Sequence, residues 1–266
     1  MNSRAKNFWL LIAGLLLSCA LLAQADTRQL GWQEFPIARI DNVFIPYSNP
    51  SLLGTGSANG LGIVHLADDE GFEKRYWLMF NSDFLSYSYE RNHGSNYHML
   101  ATGSEAFEAH ILPNLYTGMN YRWKSDAFEK GTFRSGVTYR PTNYGSIAFT
   151  WDNPMEARPF YRGGLAVRPF AFTNKVSDYR LELSADANYA KSGSEYKVLK
   201  PILGVNTQLL DGVKLGATYN MEEETALLTF SLSANKSEAG ALYRSKKDDN
   251  HSYAYLHLSE SNFKPF

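Results

Sequence analysis

The sequence predicts an all-β fold: a transmembrane antiparallel β-barrel of about fourteen strands, with an N-terminal hatch segment. Three observations predict it. Long segments alternate apolar and polar residues with a period of two. Many of those segments end in aromatic rings. The chain opens with an apolar export-type leader, and no later run of about 18 apolar residues could form a membrane helix.

The clearest alternation runs from Tyr179 to Tyr189. One face carries Tyr179, Leu181, Leu183, Ala185, Ala187 and Tyr189, and the other Arg180, Glu182, Ser184, Asp186 and Asn188. A helix cannot produce that spacing, whereas successive side chains of a strand point to opposite faces. A tilted strand of about 9–11 residues crosses a bilayer core, and a ring at each end then falls at an interface. The same design recurs with Ile147, Phe149 and Trp151, with Val213, Leu215, Ala217 and Tyr219, and with Ala226, Leu228, Phe230 and Leu232. A soluble β-sandwich also alternates, but its segments are shorter and its buried face needs more bulk than these polar and small residues supply.

Candidate strands lie near 59–68, 73–81, 83–92, 95–103, 114–124, 131–140, 143–152, 159–169, 178–190, 194–206, 210–220, 224–234, 237–246 and 251–259. Fourteen is an even number, as bacterial barrels prefer. Short connections such as Pro141-Thr142-Asn143, Lys191-Ser192-Gly193 and Met221-Glu222-Glu223 separate them. Pro201 interrupts its strand, and a barrel has no edge to hold it, so a bulge is expected there. Between 103 and 114 either a long loop or a short extra strand around His110 fits.

At the N-terminus, Arg4 and Lys6 precede the uncharged run Phe8–Leu22 and then Ala23-Gln24-Ala25. This is the form of a secretory signal peptide cut after Ala25. The alternative is the lipobox-like Leu16-Leu17-Ser18-Cys19, which would place a lipid on Cys19, the sole cysteine. A chain exported without further thiols fits a Gram-negative outer membrane better than a disulfide-stapled secreted domain. Lys and Arg total 26 against 27 Asp and Glu, a net charge of −1, which supplies no basic field for nucleic acid. The expected domains are a signal peptide over 1–25, a hatch over 26–57, a barrel over 58–259 and a tail over 260–266. The tail is separated from the last strand because Lys264, Asn262 and Glu260 break the alternation counted back from Phe266, and Pro265 interrupts it.

Residues 26–57 do not alternate, and are expected inside or beneath the lumen. Their stretch Asn49-Pro50-Ser51-Leu52-Leu53-Gly54-Thr55-Gly56, followed by the strand pattern, resembles the fatty-acid-transporter (FadL) and PorV-like outer-membrane barrels. Asn49 and Pro50 match that family's Asn-Pro-Ala hatch motif, with Ser51 in place of the Ala. The resemblance implies that Asn49, Pro50, Ser51, Gly54 and Gly56 form the hatch, and that the barrel passes hydrophobic small molecules. A fainter resemblance, to the N-terminal barrel of some signal-peptide-peptidase-like proteins, implies instead a structural or docking module of a secretion or envelope-protease system.

Alternation puts Arg122, Arg134, Arg162, Arg168, Arg180, Glu182, Asp186 and Lys214 on lumen faces. Such charges either line a polar passage or pair with one another and plug it; in a narrow barrel pairing is the commoner solution. His93 and His98 lie in or beside a turn near Ser95 and Glu90 and read as solvated loop residues, although barrel enzymes with Ser-His sites exist. His257 is expected in the interior. No cofactor or metal motif occurs, and the chain is expected not to be an enzyme. Outer-membrane lipids are its expected partners, together with a hydrophobic solute or an envelope protein.

Overall fold

A computed structural model describes residues 35–39, 44–55, 59–66, 75–92, 94–106, 113–142, 144–153, 160–170, 180–192, 195–247 and 249–259. The expected signal peptide with Cys19, Gly56, His93, His110 and the expected tail with Phe266 lie outside the described residues. The chain folds as a closed antiparallel β-barrel of fourteen strands. The first seven are β1 (Gly60–Leu66), β2 (Arg75–Asn81), β3 (Leu85–Asn92), β4 (Ser95–Glu105), β5 (Leu115–Lys124), β6 (Ala127–Thr142) and β7 (Gly145–Asp152). The rest are β8 (Phe160–Val167), β9 (Leu181–Ser192), β10 (Glu195–Leu210), β11 (Val213–Asn220), β12 (Thr225–Ala234), β13 (Ser237–Lys246) and β14 (Asp249–Ser259). Each strand pairs with its neighbours in sequence, and β14 closes on β1 with Leu258 opposite Leu61 and Tyr255 opposite Val64. Closure leaves no unpaired strand edge, which a lipid environment requires.

The two faces follow the alternation. Leu183, Leu228, Phe230, Ile147 and Leu256 are exposed on the outer wall, while Glu182, Asp186, Ser231, Thr150 and His257 are buried within. An apolar exterior over a polar interior inverts a soluble barrel and matches the outer-membrane class.

Two prolines sit at irregularities. On β10, Lys200 and Pro201 stand where β9 has one residue, between the pairs Leu199–Asn188 and Ile202–Asp186. This is the bulge expected of a residue that cannot donate to the ladder. Pro141, expected in a connection, lies instead within β6, where Arg140 and Pro141 stand opposite the single Ser146. β6 also begins earlier than the alternation indicates. Trp123 on β5 faces four residues of β6, between the pairs Lys124–Ala127 and Arg122–Thr132. That excess bows the start of β6 and disrupts its period.

Within the barrel lie residues 35–39, the helical turn α1 (Ile45–Ser48) and a 3-10 helix over Pro50–Thr55. Pro46 lies in the first turn of α1, where its missing N–H costs nothing. These residues are buried apart from Gly54 and Thr55, which are half-buried. One sector of the lumen wall is apolar: Val64, Leu66, Trp77, Met79, Met99, Leu227, Leu242 and Tyr253 pack with Phe35, Phe44 and Tyr47. Alternation concealed it, because β2 is apolar on both faces: Trp77 and Met79 point in, Leu78 and Phe80 out.

Candidate functional site: the occupied lumen

The residues expected to form the hatch are seated by what the wall lacks. Gly103 on β4 pairs with Gly118 on β5, which pairs with Gly136 on β6. The three make a side-chain-free strip across the inner wall, and Asn49, Pro50 and Ser51 lie on it. A β-carbon at Gly118 would come within 2.5 Å of the Pro50 carbonyl carbon and 2.6 Å of the Ser51 nitrogen. Gly54 is equally close to the backbone of Ser104, at 2.8 Å from a β-carbon position. The glycines of the wall serve close backbone approach, a use that a strand pattern does not reveal.

Asn49 is fully buried and is the polar centre of the hatch. Its Nδ2 donates to the Ile37 carbonyl and to Thr138 Oγ1, each at 2.8 Å, and its Oδ1 accepts from Ser51 N at 3.2 Å and Ser51 Oγ at 2.7 Å. One side chain thus joins both halves of the segment to β6. Substitution Asn49→Ala strands the Ile37 carbonyl and the Ser51 amide without partners, each a desolvation cost of the kind that buried polar groups carry. A loss of about 2–3 kcal/mol is expected, read as a lowered urea midpoint for unfolding in detergent. A variant as stable as the parent would show that the segment does not depend on this residue.

The interior charges pair and hold the same segment. Arg134 forms a bidentate pair with Asp152, at 2.5 and 2.6 Å, and its remaining guanidinium nitrogen donates to the carbonyls of Tyr47 and Ser48. Arg162 pairs with Asp186 at 2.6 Å and donates to the Phe35 carbonyl at 2.8 Å; Asp186 in turn accepts from Ile37 N at 3.0 Å. Arg168 binds Glu182 through Nε at 3.0 Å and Nη2 at 2.9 Å, and Arg39 of the segment approaches the other oxygen of Glu182 at 3.8 Å. Arg122 pairs with Glu90 at 2.7 Å, and Lys214 with Glu238 at 3.2 Å. Arg180 is placed differently: it precedes β9 at the rim and is exposed, and its backbone carbonyl accepts from Gln208 N and Thr207 Oγ1. Tyr47, in α1, bonds Ser88 Oγ at 2.7 Å; burial, then the nearby Glu90 carboxylate, push its phenol up, so it stays neutral.

Three acidic partners, Glu90, Asp152 and Glu238, were not among the expected lumen charges, and every one of these pairings joins residues of different strands, which no single strand's alternation reveals. His98, read as a loop residue near Ser95 and Glu90, is in β4 and faces outward, bonded to Tyr87 and Ser125.

No family model matches the chain, and no curated protein matches it. Solved structures similar to it include two of an outer-membrane enzyme. An active-site mutant of outer membrane phospholipase A from Escherichia coli has 12% identity and a TM-score of 0.39, covering 77% of this chain and 91% of that one. Outer membrane phospholipase A from Escherichia coli has 11% identity and a TM-score of 0.37, covering 76% and 90%. The expectation that the chain is not an enzyme is withdrawn on this finding: both of these similar structures are of an enzyme, a phospholipase. The chain is a closed fourteen-strand β-barrel of the outer-membrane type.

Proposed function

We propose that the chain resides in the outer membrane of a Gram-negative bacterium as a barrel closed by its own N-terminal segment, a membrane module without a standing pore. One observation carries this reading: residues 35–39 and 44–55 are tied to the wall from several sides at once, through Asp186, Arg162, Arg134, Thr138 and the glycine strip. A single hydrogen bond contributes little, but ties to separate strands must break together before the segment leaves.

In planar bilayers the purified protein is expected to give no steady conductance, while its gel migration shifts on boiling as a folded barrel's does. Stable ohmic channels in the unmodified protein would overturn the closed reading. No shift on boiling, with the protein released by salt washing, would remove it from the membrane altogether.

A second reading is gated passage of hydrophobic small molecules. The apolar sector around Phe35, Phe44, Trp77, Met99 and Leu242 supports it, as does the likeness of Asn49-Pro50 to the FadL hatch. Saturable binding of a fluorescent fatty acid, lost on substitution of Met99 by a charged residue, is its test. A docking module would instead retain envelope proteins on mild purification and bind no such probe.

A further inference from the structure

The outer wall carries a polar cluster that takes no part in holding the hatch. On β3 to β5, Ser88, Glu90, Met99 and Arg122 face the lumen, so Tyr87, Tyr89, His98 and Trp123 alternate outward. His98 stacks on Trp123, with ring centroids 5.5 Å apart and planes 22° apart. Its Nδ1 lies 2.8 Å from the Tyr87 hydroxyl, and its Nε2 lies 2.8 Å from Ser125 Oγ, closer than the Asn96 carbonyl to which that hydroxyl can also donate, at 3.3 Å. Ser125 is exposed in the two-residue turn between β5 and β6, pinned by its amide donating to the Asn96 carbonyl at 2.9 Å. A serine hydroxyl on one imidazole nitrogen, with the other nitrogen held by a third group, is the arrangement that activates a nucleophile.

The surroundings hold it in place. The bowed start of β6 lays Phe128 edge-on against Tyr121 and Trp123, at 5.3 and 5.2 Å, and the Tyr121 hydroxyl donates to the Phe128 carbonyl. Bulges commonly re-aim side chains beside reactive sites. Tyr87 and Tyr89 also wall an apolar depression of about 370 Å³ on the outer face, with Leu61, Ile63, Leu78 and Phe80. That volume lies within the range of small-molecule sites, about 300–1,000 Å³.

We propose that Ser125, His98 and Tyr87 form an ester-hydrolysing site on the outer wall, with acyl-ester lipids as substrates. The site opens at a rim, among aromatic rings that sit at headgroup depth, with an apolar seat for an acyl chain alongside. Ser125 Oγ attacks the ester carbonyl carbon and its proton passes to His98 Nε2. The bond to the leaving alcohol breaks, and His98 returns the proton to that alcohol. Water, deprotonated by His98, then cleaves the acyl-serine, releasing the fatty acid and restoring the Ser125 hydroxyl. Tyr87 is a positioning residue: by accepting the Nδ1 proton it leaves Nε2 free to act as base. A neutral phenol does less for the transient imidazolium than a carboxylate, whose loss costs about 10⁴-fold in a serine–histidine–aspartate triad, so turnover is slow.

The test uses the full chain folded in detergent, a fluorophosphonate probe mapped by mass spectrometry, and fatty-acid release from diacylphosphatidylcholine in mixed micelles. Labelling at Ser125 of the unmodified protein, its loss in His98→Ala, and slow hydrolysis lost in Ser125→Ala are expected. Tyr87→Phe lowers kcat about tenfold at unchanged KM, the size of one hydrogen bond. Protein with folded gel migration that neither takes the label nor releases fatty acid overturns the site. Labelling that survives His98→Ala overturns the role of His98 as base. Gel migration of each variant separates lost chemistry from lost folding, and the mapping on unmodified protein needs no variant.

Discussion

Gly118→Leu is expected to turn a silent barrel into a conducting one. A β-carbon alone at this position would stand 2.5 Å from the Pro50 carbonyl carbon, and backbone at that distance has no rotamer with which to yield. The wall cannot retreat either, because Gly118 is paired on both sides, with Gly103 and Gly136. The hatch must therefore lift from the strip, taking with it Asn49 and its bonds to Thr138 and Ile37. Overpacking a filled interior costs about 1–3 kcal/mol, and more where backbone is the obstacle. The outer wall is untouched, so folded migration on gels should persist while discrete conductance steps appear in planar bilayers. An independent readout is the companion change Ser51→Cys. The Ser51 side chain is fully buried in the parent and should become open to a thiol reagent only when leucine occupies position 118. A silent Gly118→Leu barrel with the cysteine still protected would refute the seating.

Arg162→Ala is expected to cost the most stability of any single change considered for the lumen. Arg162 and Asp186 meet at 2.6 Å with side chains 3% and 0% exposed. Removing the guanidinium strands a buried carboxylate, and breaking such a pair from one side costs about 3–5 kcal/mol. It also removes the donor to the Phe35 carbonyl. The paired change Arg162→Met with Asp186→Leu should recover most of the loss, because an apolar pair of similar volume carries no desolvation penalty. The double variant still lacks the bond from Ile37 N to Asp186, so its hatch should loosen while its barrel does not. Urea midpoints for both variants, with bilayer conductance alongside, separate the two effects. Equal midpoints for parent and Arg162→Ala would show that water or a neighbour already compensates the carboxylate.

The barrel wall was legible because its code is local. Each strand states its own inside and outside by alternation, and the turns state their own punctuation through Gly, Pro, Asn and Ser. Pro201 shows how far that reaches: its missing N–H in an edgeless sheet required a bulge, and the register shifts there. Pro141 shows the limit. Beside a turn, a proline in a bulge and a proline in a loop look alike, and pairing with Gly145 decided it. The apolar sector of the lumen was illegible for a related reason, since a strand apolar on both faces has no phase.

The interior was half legible. Arg134, Arg162, Arg168, Asp186 and Lys214 could be placed on the lumen side from their own strands, and Asn49 and Pro50 stood out as a turn motif. Which partner each would meet could not, because Asp152, Glu238 and Phe35 reach them across strands or from the hatch. Nor could Gly103, Gly118 and Gly136 be seen as one surface, since each reads alone as a strand position without a side chain. Ser125 and His98 are 27 residues apart, and only the pairing of β4 with β5 and the turn beyond it brings them together.

Composition and periodicity alone set the class, the strand count and the sense of the faces that alternate, because a period of two is a property of one strand and its solvent. Which charge meets which, where the hatch rests and which hydroxyl lies against an imidazole belong to the closed barrel. Those contacts join residues distant in the chain, and they exist only once fourteen registers are fixed around a ring.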